Sequence, residues 1–124
     1  MKEVFQCEEI AKPIGPYSPA VRGAGLTLLS GQVAQDPATG RLVEGDAAAQ
    51  AEVILRNVGA VLKAAGKTWA DVLRIGVYLT DMADFGAVNA VYQRHVPAPY
   101  PARTAIGVKS LPLGATVEMD VMAA

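Results

Sequence analysis

Few residues in this chain have the type and setting to do chemistry, and Arg103 is foremost among them. It stands at the start of an apolar run, Arg103 to Lys109. A guanidinium there presents a planar fork that can grip a carboxylate through two parallel hydrogen bonds, which a lysine cannot reproduce. A strand-entry arginine in a weak surface ion pair has the same local sequence. Glu118 interrupts an otherwise apolar segment, where a carboxylate could orient a water and accept its proton, or could simply face outward from an amphipathic strand. Tyr17 follows Gly15-Pro16, a turn that can hold a phenol at a cleft edge as a hydrogen-bond donor or pack it on a loop. Ser30-Gly31 combines a hydroxyl with an unobstructed backbone N–H, suited to an anion or to close packing. Asn89 sits one step off an apolar helical stripe, as a site, solvated or interface residue.

The remaining candidates point away from other chemistries. One cysteine, Cys7, and one histidine, His95, cannot make a disulfide framework or a structural zinc site. Cys7 has no adjoining positive partner and reads as an inert strand residue. His95 reads as a complement to a helix C-terminus. Gly23-Ala24-Gly25 lacks the third glycine and the following helix of a dinucleotide fingerprint and reads as a turn. Eleven Lys and Arg balance 12 Asp and Glu, a net charge of -1 without any basic block, so no nucleic-acid partner is expected. The longest stretch without charge, Gly23 to Gln35, falls short of the roughly 18 apolar residues of a membrane span. The opening Met1-Lys2-Glu3 lacks the apolar core of a signal peptide, and a cytoplasmic location is the expectation.

The elements that must position these groups follow from periodicity. With 124 residues, 52% hydrophobic and 19% charged, one folded domain over 1–124 is expected. Asp46 is an N-cap type residue ahead of Ala47, Ala51, Ile54, Val58, Val61 and Ala65 at three- and four-residue steps, and Gly66 ends this first helix. Its opposite face, with Gln50, Glu52, Arg56, Asn57 and Lys63, reads as solvated. A second helix starts at Thr80-Asp81, carries Phe85, Val88, Tyr92 and Val96 on one stripe, and stops at Pro97 and Pro99. Val72 to Thr80 alternates as a strand, with Leu73, Ile75, Val77 and Leu79 inward and Arg74, Gly76 and Tyr78 outward. Pro19 to Arg22 and Leu26 to Val33 flank the glycine turn as a hairpin, and Pro37-Ala38-Thr39-Gly40 is a surface turn. Ser110 to Gly114 joins Arg103–Lys109 to an alternating strand from Ala115, predicting a final hairpin.

The sum is an α+β sandwich with both helices on one face of the sheet. The other face mixes Arg, Tyr, Glu and Gly with a few apolar residues and has no helix to cover it, so self-association is the economical expectation. The final hairpin also raises a conflict. Pairing Lys109 with Ala115 sets residues of equal parity opposite each other, which sends Arg103 and Glu118 to opposite faces. A bulge, a shifted register or contributions from two subunits would remove it.

Ile14-Gly15-Pro16-Tyr17-Ser18-Pro19-Ala20, Ser30-Gly31-Gln32, Val88-Asn89-Ala90-Val91-Tyr92, Pro101-Ala102-Arg103-Thr104-Ala105 and Leu111-Pro112 with Val117-Glu118-Met119-Asp120 stand in an order that resembles the reactive intermediate deaminase family, RidA. The resemblance spans nearly the whole chain, and the arginine in the fourth segment is similar to members that hydrolyse imines. It implies a chorismate-mutase-like fold, a mixed sheet with two helices on one face, assembled into a homotrimer around a sheet barrel with sites between subunits. It further implies a 2-iminobutanoate/2-iminopropanoate deaminase acting on the enamine and imine products of pyridoxal-phosphate-dependent dehydratases, without a cofactor of its own. Within that likeness Arg103 and the Ala105 N–H hold the substrate carboxylate, and Glu118 positions water. Tyr17, Ser30, Gly31, Asn89 and Pro112 shape the pocket. Ala105 stands where many members have cysteine, and a main-chain contact survives that change. A non-catalytic trimer that binds 2-oxo acids would use the same arginine, and an activity on RNA would need a basic surface that the charge count lacks.

Overall fold

The computed structural model describes residues 1–124. In chain order the elements are β1 (Glu3–Phe5), β2 (Ala20–Gly23), β3 (Leu26–Gln32), α1 (Ala47–Ala64), β4 (Val72–Leu79), α2 (Phe85–His95), β5 (Ala102–Gly107) and β6 (Val117–Ala123), with short 3-10 turns before β4, α2 and β6. The strands form one mixed sheet in the order β1-β2-β3-β6-β4-β5, and every pairing is antiparallel except β4 with β5. Both helices lie on one face, over a core that includes Ile54, Leu55, Val58, Ile75, Leu79, Val88, Val117 and Met119.

Local chemistry explains where these elements begin and end. The Asp46 side chain accepts from Ala49 N at 2.9 Å and starts α1. At its far end Gly66 takes φ +72, with Lys67 N on Leu62 O at 2.8 Å and Gly66 N on Lys63 O at 3.0 Å, a Schellman closure that needs the left-handed backbone glycine supplies. Arg22 adds a guanidinium hydrogen bond to the Ala65 carbonyl, a cation where the helix dipole is negative. Ala24 at φ 51 and Gly25 at φ 76 make the two-residue turn between β2 and β3.

The final hairpin does not form. β5 lies beside β4, with Ile75 opposite Arg103 and Leu79 opposite Gly107, while β6 is inserted between β3 and β4. The connection from β4 to β5 passes through α2, which gives the crossover that two parallel strands require and leaves β5 on the outer edge. Three side chains also depart from the sequence reading. Leu73 is 47% exposed because the register shifts between Val72 and Arg74, so a bulge turns it off the core face. Gln50 and Asn57 are buried on α1, where Gln50 Oε1 accepts from Thr116 N at 2.9 Å and Asn57 Nδ2 donates to Gln35 O at 3.1 Å. They satisfy loop backbone that would otherwise be unpaired under the helix. Cys7 lies beyond β1, outside any strand, and β1 itself carries no pattern long enough to read.

His95 does more than finish α2. Its Nε2 is 2.8 Å from Glu52 Oε2, tying the two helices together, with Arg56 at 3.7 Å and Arg94 at 3.8 Å from the same carboxylate. The His95 hydrogen bond, ahead of the surrounding positive charges, holds the Glu52 carboxyl below its usual range.

Candidate functional site

The sequence candidates gather into two groups, one on each side of the sheet. The first is built on β5 and α2. Arg103 pairs with the fully buried Ile75, which puts its side chain on the helix side, and β5 is an edge strand, so the guanidinium projects beside α2. There Nη1 donates to Asn89 Oδ1 at 2.6 Å, and the guanidinium carbon lies 4.8 Å from the Tyr92 ring centre and 5.4 Å from that of Phe85. Arg103, Asn89 and Tyr92 line an open cavity of about 360 Å³ with Gln93, Tyr100 and Pro101. Ala105 is two residues further along β5 on the same side, opposite Val77 and packed against the core. A guanidinium held by one hydrogen bond and two ring contacts keeps other N–H donors free for an anion.

The second group is built on β3, β6 and the loop before β2. Glu118 pairs with Tyr78 and lies on the face without helices. The register between Leu29 and Gln32 shifts, a bulge that sets Ser30-Gly31 against β6. A Cβ on Gly31 would stand only 3.2 Å from the Glu118 carboxyl carbon and Oε2, so the glycine is the space in which this carboxylate lies. Ser30 fastens the neighbouring loop: its Oγ donates to Ser18 O at 2.6 Å and its N to Pro19 O at 3.0 Å. Within that loop Tyr17 N donates to Gly15 O at 2.9 Å across Pro16, a γ-turn that points the phenol outward at 44% exposure. Tyr17, Gly31, Glu118 and Pro112 enclose a small cavity of about 170 Å³ with Ile14, Val33, Gln35 and Leu113. Leu113 holds φ +60, a left-handed backbone uncommon for leucine, at the rim of that cavity.

Burial pushes the Glu118 carboxyl above its ordinary value, and the nearby Asp120 charge adds to the rise. Asp120 is fixed by its own contacts: it accepts from Gly76 N at 3.1 Å, Tyr78 Oη at 3.0 Å and Arg74 Nη1 at 3.4 Å. A Cβ on Gly76 would collide with Asp120 Oδ1 and lie 2.7 Å from the Tyr78 hydroxyl, so glycine is what lets the three side chains meet. A carboxylate with a raised pKa beside a tyrosine and a small cavity is placed to exchange a proton with a bound molecule.

Within one chain the two groups do not meet. β4 separates β5 from β6, about 10 Å between backbone axes, and the Arg103 and Glu118 side chains leave opposite faces of the sheet. The opposite-face conflict seen in the sequence is therefore present in the fold, through different strand pairing. Periodicity also placed Phe85 and Tyr92 in the core stripe without showing that they contact Arg103; the spacing of 85, 89 and 92 on one helix face was the available signal.

The family model described as Endoribonuclease L-PSP matches residues 8–124. A mouse protein named 2-iminobutanoate/2-iminopropanoate deaminase is 40% identical over 123 residues, 99% of this chain and 91% of its own length. The crystal structure of RidA from an Antarctic Psychrobacter superposes with a TM-score of 0.93 at 38% identity, covering 98% of each chain. The chain belongs to the RidA family. A further likeness is to E. coli TdcF, solved with bound serine, at a TM-score of 0.92 and 31% identity over 98% of each chain. Two helices on a six-stranded mixed sheet are the RidA fold, and no helix here is long and apolar enough to cross a membrane.

Proposed function

We propose that residues 1–124 act as one RidA-type domain that hydrolyses short 2-imino acids, 2-iminobutanoate and 2-iminopropanoate, to 2-oxo acids and ammonia. The observation that carries this reading is the pair of half-sites. One offers a pre-held guanidinium to a carboxylate, and the other offers a carboxylate of raised pKa beside a phenol and a small, largely apolar cavity. The names of the mouse relative and of the serine-bound relative agree with a small carboxylate-bearing, nitrogen-bearing ligand.

The chemistry needs little more than placement. Arg103 and the Ala105 N–H hold the substrate carboxylate, with Asn89, Ser30 and Pro112 shaping the pocket. Glu118 takes a proton from water as its oxygen bonds to the iminium carbon, giving a carbinolamine. The same carboxyl returns that proton to the amine nitrogen. The C–N bond then breaks as the hydroxyl loses its proton to Glu118, leaving the 2-oxo acid and ammonia, which leaves as ammonium with that proton. Tyr17 donates a hydrogen bond at the cleft edge. Positioning and charge complementarity suffice for water addition to a carbon this electrophilic.

Because one chain separates the half-sites, the working unit in this reading is a homotrimer whose sites lie between subunits, with the helix-free sheet faces turned inward as a barrel. Leu28 and Ile106, 43% and 44% exposed on that face in the single chain, would be covered. The substrates arise as imines released by pyridoxal-phosphate-dependent dehydratases in the cytoplasm. With a net charge of -1, a phosphate-binding role on RNA has little support. A coupled assay tests the reading: a threonine dehydratase generates the imine, and adding this protein accelerates 2-oxobutanoate release. An unchanged release rate at saturating protein contradicts it and leaves only a binding role.

A further inference from the structure

We propose that Tyr92 is a positioning residue for Arg103: with Phe85 and Asn89 it forms a bracket on α2 that fixes the guanidinium before any ligand arrives. The inference rests on the reading of Arg103 as the carboxylate anchor and adds a residue that the reading does not use.

An arginine on an edge strand is ordinarily a mobile side chain, and a ligand that binds it must freeze several rotatable bonds. Arg103 is instead held from two directions. Asn89 Oδ1 takes the Nη1 donor at 2.6 Å, which restricts the rotation of the fork, while the guanidinium carbon lies over the Tyr92 ring at 4.8 Å and over the Phe85 ring at 5.4 Å. Positions 85, 89 and 92 are four and three residues apart, so a single helix face delivers all three. The ring contacts consume no N–H donor and the Asn89 bond uses one, so other N–H groups remain available to a carboxylate.

Tyr92 itself is only 4% exposed, and its hydroxyl is buried without a hydrogen-bond partner. A buried hydroxyl without a partner costs stability and offers Arg103 no hydrogen bond, so the ring is the part that acts. The two features can be separated: Tyr92→Phe keeps the ring and removes the orphaned hydroxyl, whereas Tyr92→Leu keeps apolar bulk and removes the ring. Phe85→Leu removes the more distant of the two rings.

The test is the affinity for 2-oxobutanoate by calorimetry, together with kcat and KM in the dehydratase-coupled assay, for the parent, these three variants and Arg103→Lys. Tyr92→Leu should raise Kd and KM together by about five- to tenfold with kcat within about twofold. Phe85→Leu should do the same more weakly, about twofold, and Tyr92→Phe should leave Kd within about twofold of the parent. The Arg103 Nε–H proton resonance, shifted by the stacked ring in the parent and in Tyr92→Phe, should move toward its free value in Tyr92→Leu. Unchanged Kd in Tyr92→Leu, or in Phe85→Leu if the first variant does not fold, overturns the inference. So does a loss confined to kcat in proportion to a smaller folded fraction, which is what a merely structural tyrosine would give. If Arg103→Lys weakens binding and Tyr92→Leu does not, the bracket alone is wrong. If the parent fails to bind 2-oxobutanoate, or Arg103→Lys binds it as well as the parent, the anchor reading falls and takes the bracket with it.

Discussion

Arg103 and Glu118 are charged residues on opposite faces of the sheet, and the anchoring and proton-transfer roles proposed for them should fail in different ways. Arg103→Lys keeps the charge and loses the fork, costing about 1.5–3 kcal/mol, so 2-oxobutanoate binding and kcat/KM should fall together. Glu118→Gln keeps the shape and loses the base, so calorimetry should show binding retained while kcat drops about a hundredfold or more. It should not lower the melting temperature at neutral pH. Burial and Asp120 raise the Glu118 pKa in the folded chain, so stability falls as pH rises from the unfolded value through the raised one, and an uncharged amide escapes that penalty. In the proposed role Glu118 must be ionised to act, so the same upward shift should make kcat/KM decline at a higher pH than an ordinary carboxylate, about 4.3, would give. Asp120→Asn should move that limb to lower pH without bringing it to the ordinary value, since burial is the larger cause. A limb that does not move would separate Asp120 from the base.

At the scale of elements, the fold was legible wherever one segment carried its own signal. Asp46 and Gly66 bracket α1 in the sequence and in the structure, and the glycine turn does join β2 to β3. What the sequence did not carry was partner choice. The short link between residues 107 and 117 suggests a hairpin, but β6 finds two partners in the middle of the sheet and β5 is carried to the far side of β4 by α2. Likewise Gln50 and Asn57 are polar by type, and only the loops packed over α1 show why they are buried. The candidate residues stood out in the sequence through family likeness, while the Tyr92 and Phe85 contacts depend on β5 lying beside α2. Two contacts invisible to periodicity should matter for stability. Arg22→Met removes the hydrogen bond to the Ala65 carbonyl at the end of α1 and should cost about 1–2 kcal/mol in urea unfolding. Glu52→Gln should lower the melting temperature at pH 7. A carboxyl held below its usual range stabilises the fold above its unfolded pKa, and that stability is lost as pH falls through the lowered value. The difference between parent and variant should therefore vanish in acid.

For the whole molecule, the sheet face bearing Glu118, Asp120, Arg74 and Tyr78 has no helix over it, and the edge strand bearing Arg103 has no strand beyond it. The proposed site assembled from two copies would account for both and would make the oligomer part of the chemistry. Mixing variants tests this directly. Arg103→Lys and Glu118→Gln homo-oligomers, each impaired alone, are unfolded together in equal amounts, refolded, and assayed for imine hydrolysis. If Arg103 and Glu118 of one site come from different subunits of a trimer, random assembly restores both groups in about a quarter of the sites, and activity should rise to about a quarter of the parent value. Activity no higher than the average of the two separate variants would mean that no site draws on two copies, and would contradict the two-copy site.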